Sequence, residues 1–69
     1  MDIVTQLSKL PNGSIFSVVA PHRRKPQRFV KLRGFGGPYA IDLEANSWRF
    51  TKEMEGYRQL KVLFSPKNT

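Results

Sequence analysis

The chain has no cysteine, one histidine and, between Asp2 and Asp42, no acidic residue at all. Without cysteine there are no disulfides and no thiolate metal sites, so nothing covalent or metallic supplements the core. His22 cannot build a metal cage alone, and no Asp/Glu cluster surrounds it. No apolar run approaches the roughly 20 residues needed to span a bilayer. The start, Met1-Asp2-Ile3-Val4, lacks the basic and long apolar stretches of a signal peptide. A soluble, cytoplasmic protein is expected, without membrane contact. Phosphate loop, nucleophile elbow and paired histidines are missing too, so neither an enzyme nor a cofactor is expected.

What is present fits one small domain over residues 1–69, with 66–69 as a polar tail. A core of this size supplies only about 3–5 kcal/mol of net stability, and a homodimer would supplement it. Five Phe, two Tyr and one Trp make the chain rich in aromatics. Such side chains bury roughly 150–250 Å² each, enough to make a small core sufficient.

Ile3, Leu7 and Leu10 have helical spacing, with Asp2 as N-cap and Pro11-Asn12-Gly13 as the stop. Ser14–Ala20 reads as a strand closed by Pro21, and residues 22–26 as a solvated hairpin loop. Gln27–Arg33 alternates, with Phe29, Lys31 and Arg33 on one face and Val30 and Leu32 on the other. Gly34–Pro38 reads as a second loop. Tyr39, Ile41 and Leu43 then alternate with Ala40, Asp42 and Glu44, followed by a tight turn. Trp48 and Phe50 share the Tyr39–Ile41–Leu43 side, which is expected to be the core face. A last strand covers Leu60–Phe64. The expected fold is mainly β: a small antiparallel SH3-like barrel or bent sheet of 4–5 strands with a short N-terminal helix.

Six of the twelve basic residues fall between positions 23 and 33: Arg23, Arg24, Lys25, Arg28, Lys31 and Arg33. The net charge is +7, and four of the five acids gather at Asp42, Glu44, Glu53 and Glu55. A segregated patch focuses field and steers an anionic partner. Pro21 and Pro26 bracket Arg23-Arg24-Lys25 and reduce the ordering penalty of binding. The competing reading is a solvated loop that only keeps the protein soluble. Phe35, between Gly34 and Gly36-Gly37, has little local packing and is expected to be exposed. Phe29 is read equally well as surface or as core. Cations that track phosphates beside rings that stack on bases are the equipment of single-strand binders. Arg33-Gly34-Phe35-Gly36 opens like the RNP1 signature, but Gly37-Pro38 stand where Phe-Val should follow, which excludes that family.

The order Leu7-x-x-Leu10-Pro11-x-Gly13-x-x-Phe16, then Phe29-Val30-Lys31, Ala40-Ile41-Asp42-Leu43-Glu44 and Val62 resembles short SH3-like β-barrel proteins of bacteriophages and other mobile elements. The resemblance covers residues 7–64. It implies an SH3-like barrel and no particular activity. From the residues themselves, a nucleic-acid-binding protein of low sequence specificity is expected, on DNA or RNA. Arg23, Arg24, Lys25, Arg28, Lys31 and Arg33 would contact phosphates, and Phe35 would stack. The alternative is a phage-type inhibitor or adaptor whose basic hairpin binds an acidic surface of a host protein.

Overall fold

A computed structural model describes residues 2–66, so most of the expected tail (67–69) lies outside the described residues. Helix α1 spans Ile3–Lys9, and Asp2 caps it, Oδ1 accepting from the Thr5 N–H at 2.8 Å. Hydrogen bonding from Thr5 holds the Asp2 carboxyl below its ordinary pKa. Leu10 has left the helical region, as the steric bulk of Pro11 favours for the residue before it. Leu7 is fully buried, with Ile3 and Leu10 packed beside the core on the same stripe.

Five strands follow: β1 (Ile15–Val19), β2 (Gln27–Gly34), β3 (Gly37–Asp42), β4 (Trp48–Phe50) and β5 (Arg58–Phe64). They form one open antiparallel sheet in the order β4-β3-β2-β1-β5. A 3-10 turn over Thr51–Met54 separates the last two in sequence. Register shifts interrupt the β1–β5 ladder, and such bulges bend a sheet. The mainly β architecture matches expectation. The hairpin after β2 is tighter than its glycines suggest, because pairing continues to Gly34↔Gly37 and leaves Phe35-Gly36 at the tip. Gly37 closes that turn at φ +107°, a value open to glycine at little penalty. Pro38, expected in the loop, pairs with Arg33 inside the ladder.

One face of the sheet closes on α1 and the 3-10 turn. Its core is Leu7, Phe16, Val18, Phe29, Ala40 and Met54. Phe16 and Phe29 stack at 5.7 Å, and Tyr57 meets Phe29 edge-on at 6.4 Å. Phe29 is therefore core, not surface.

The face expected to be buried on β3 and β4 is the outward one. Ala40 and Asp42 point in, whereas Trp48 is 59% exposed and Leu43 is also exposed. The reason is volume. Two stacked phenyl rings, Leu7 and Met54 already fill the space under β3, and Ala40 is what still fits. Asp42 tolerates burial because its carboxylate accepts from the Glu44 and Ala45 N–H groups at 2.8 and 3.0 Å and from Gln27 Nε2 at 3.2 Å. Arg49 also turns inward, donating from Nη1 to the Tyr57 hydroxyl at 2.7 Å, its guanidinium 6.0 Å from the Phe29 ring centre.

Candidate nucleic-acid interface

The loop between β1 and β2 is exposed from Pro21 to Pro26 and is pinned at its base. Arg23 donates its N–H to the Ala20 carbonyl at 3.1 Å, and His22 takes a left-handed φ of 67°. Arg58, from β5, donates Nη1 to Ala20 O at 3.0 Å and Nη2 to Arg23 O at 2.7 Å. Arg23, Arg24 and Lys25 thus stand in solvent on a loop whose backbone is held. They form one wall of a surface groove whose other wall is the Asp42–Ala45 turn. Glu44 in that turn meets Arg28 at 3.5 Å, both side chains mostly exposed. An exposed pair of this kind contributes about 0–1 kcal/mol, so it does not lock Arg28 away from another anion.

Lys31 does not belong with this group. It is only 3% exposed, and its ammonium donates to Leu10 O at 2.7 Å and Ser8 O at 3.3 Å. Those carbonyls lie at the C-terminal end of α1, where a cation meets both the unpaired acceptors and the negative end of the helix dipole. Burial, then the nearby charge of Arg33, pulls the Lys31 pKa below 10.5. The expected phosphate contact is a helix cap. Arg33 shares the Lys31 face but lies beyond the core and is exposed.

Phe35 is fully exposed at the hairpin tip, at 114%. β2, eight residues long, separates it from the basic loop by roughly 25 Å at about 3.3 Å per residue. The expected site residues therefore fall into two groups, Arg23, Arg24, Lys25 and Arg28 at one end and Arg33 and Phe35 at the other.

The outer face of the sheet joins the first group to Phe35, whereas Arg33, on the Lys31 side, lies off it. Cross-strand partners share a face, so the registers define rows. Nearest the basic loop is the pair Arg58–Val19, then the row Lys61–Ser17–Arg28. Next comes Phe64–Ile15–Val30–Ile41–Trp48, an apolar row across all five strands. Then come Leu32–Tyr39–Phe50 and, past them, the Phe35 tip. The Trp48 ring stands nearly perpendicular to both Tyr39 (5.9 Å, 75°) and Phe50 (5.1 Å, 89°). Lys52 Nζ lies 5.4 Å from the Phe50 ring centre. Gly36 permits this arrangement, since a Cβ there would come within 2.6 Å of the Phe50 ring.

Sequence reasoning missed Trp48, Tyr39 and Phe50 as surface residues, and Lys61 and Arg58 as cations bordering the site. No local signal marks the rings as outward, because Ala40, Asp42, Arg49 and Thr51 on the opposite side are small or polar. Periodicity alone ranks that face as the wet one. Among the described residues, no helix is long and apolar enough to cross a membrane, and no group of three or more His, Asp or Glu is placed to hold a metal ion. No family model, curated protein or solved structure matches the chain.

Proposed function

We propose that this is a small cytoplasmic nucleic-acid-binding protein of low sequence specificity. It engages the sugar-phosphate backbone with Arg23, Arg24, Lys25, Arg28 and Arg33 and stacks Phe35 on a base. The observation that carries the reading is the single outer face that runs from an exposed cationic loop, past Arg28 and Lys61, into exposed rings, on a chain of net charge +7. Cations at one edge of an aromatic surface fit a polyanion whose bases are flat and apolar. The pinned base of the loop lowers the entropy lost when phosphates bind.

The test is a series of titrations at several salt concentrations. Four to five neutralised phosphates give a log–log slope of roughly −3 to −4. Changing Arg23, Arg24 and Lys25 to Glu moves the net charge from +7 by three steps of −2 to +1, and it should abolish binding while the fold survives. A slope near zero, or no binding at low salt, would remove the nucleic-acid reading.

The uninterrupted apolar row from Phe64 to Trp48 favours a second reading. There the basic hairpin and the outer face together grip an acidic, partly apolar surface of a host protein, as an inhibitor or adaptor does. A stoichiometric protein partner retained after nuclease treatment would support it.

A further inference from the structure

We infer that the corner formed by Trp48, Tyr39 and Phe50 is a slot for one unstacked base of a single strand. This rests on the nucleic-acid reading above and extends it to residues outside the basic run.

The corner is a groove of about 470 Å³ open to solvent, bounded by the Phe35 tip on one side and the Asn46-Ser47 turn on the other. Its walls are rings at nearly right angles, so a flat ligand lies against one ring and meets another edge-on. Gly34 and Gly36 at the tip put no side chain into the space. The residues lining it that carry polar groups besides the Trp48 indole are Tyr39, Asn46 and Ser47, whose hydroxyls and amide include both donors and acceptors for the edge of a base. Asn46 is held there by a left-handed turn at φ 54° whose N–H donates to Asp42 O at 3.0 Å.

Charge decides between occupants. Among the described residues no carboxylate lines the corner: Glu53, beside it, is engaged by the Phe50 N–H at 3.0 Å, while Lys52 sits over the Phe50 ring and Arg28 lies one row beyond Trp48 on the same face. An organic cation would find no carboxylate lining the corner and a molecule of net +7. A base carried on a phosphate backbone finds both a ring and nearby cations. A duplex keeps its bases stacked inward and offers nothing to the slot, so the preference is for single strands.

Trp48 is the sole tryptophan, so its emission reports the slot directly. The full chain is titrated at low salt with a labelled oligothymidylate of about eight nucleotides, a length within the known range of single-strand sites. A duplex of the same length is run in parallel, and label anisotropy and Trp48 emission are read together. Quenching by the single strand, and none by a duplex that still binds, is expected. Trp48→Leu should lower single-strand affinity on the order of tenfold and leave duplex affinity unchanged. Salt-sensitive binding without any change in emission would overturn the slot while leaving the backbone reading intact. No binding of either probe would remove both. An emission shift that follows protein concentration without nucleic acid, together with a doubled mass by light scattering, would assign the corner to a second copy of the chain and overturn the proposal.

Discussion

Lys31→Met removes an ammonium and keeps an unbranched apolar stem in a site that is almost closed to solvent. Two carbonyls at the end of α1 lose their donor, Leu10 O with its short bond and Ser8 O with the longer one. Hydrogen bonds to a charged group contribute about 1.5–3 kcal/mol each, the long one less. Desolvation works the other way: it is the main reason the Lys31 pKa is lowered, and methionine escapes it. The balance is an expected loss of about 1–3 kcal/mol, a large part of the ~3–5 kcal/mol available to so small a core. Urea denaturation measures it. Nucleic-acid affinity and its salt slope should be those of the wild type, because the ammonium never reaches the surface. A variant as stable as wild type whose slope is shallower by about one unit would refute the burial and restore Lys31 as a phosphate contact.

The same site has a pH signature. The folded chain holds the Lys31 proton less tightly than the unfolded chain, where the ordinary value is 10.5. The unfolded state therefore binds more protons between the two values, and stability rises with pH across that window. The wild-type stability minus that of Lys31→Met should be flat below the lowered pKa and climb towards 10.5. A difference that falls over this range would contradict the desolvation account.

Trp48→Ala should lower stability by about 1 kcal/mol or less, whereas Phe16→Ala should lose about 3–5 kcal/mol; comparable losses in urea curves would put Trp48 back in the core. Asp42→Ala strips an acceptor from three donors and should destabilise by about 2–3 kcal/mol, while Asp42→Asn keeps one carbonyl oxygen for the turn and recovers part of it. Arg58→Ala frees the base of the basic loop, so hydrogen exchange at the Arg23 N–H should quicken and protease nicking should concentrate between Pro21 and Pro26; exchange unchanged from wild type would mean that the loop holds itself.

The helix, its Asp2 cap and the approximate position of every strand were legible because each is a local property. A capping side chain, a Pro-Asn-Gly stop and an alternation of two are written within a few residues. Which side of β3 faces in was not local. On hydrophobicity Tyr39, Ile41 and Leu43 outrank Ala40, Asp42 and Glu44, so periodicity places them inward. The outcome was set by what α1 and the 3-10 turn deliver from either end of the chain. Leu7 and Met54 press on the Phe16–Phe29 stack and leave room under β3 for a methyl group, not for a phenol.

The candidate site divides along the same line. Charge density is local, so the exposed run Arg23-Arg24-Lys25 could be read directly, as could Phe35 flanked by glycines. Lys31 looked the same as its neighbours because the acceptors that bury it, Ser8 and Leu10, lie more than twenty residues away. With Trp48, Tyr39 and Phe50 inside the core, the rings that connect the basic loop to Phe35 are gone, leaving two features some 25 Å apart with no aromatic surface between them. Turning β3 over puts Arg28, Val30 and Leu32 in step with Ile41, Trp48, Tyr39 and Phe50, so cations and rings share one continuous face. That face is also why Trp48 and Phe35 can stay exposed in a protein this small. The inner side already holds as much ring volume as one helix and one short turn can cover, and the remaining aromatic area lies on the outer face.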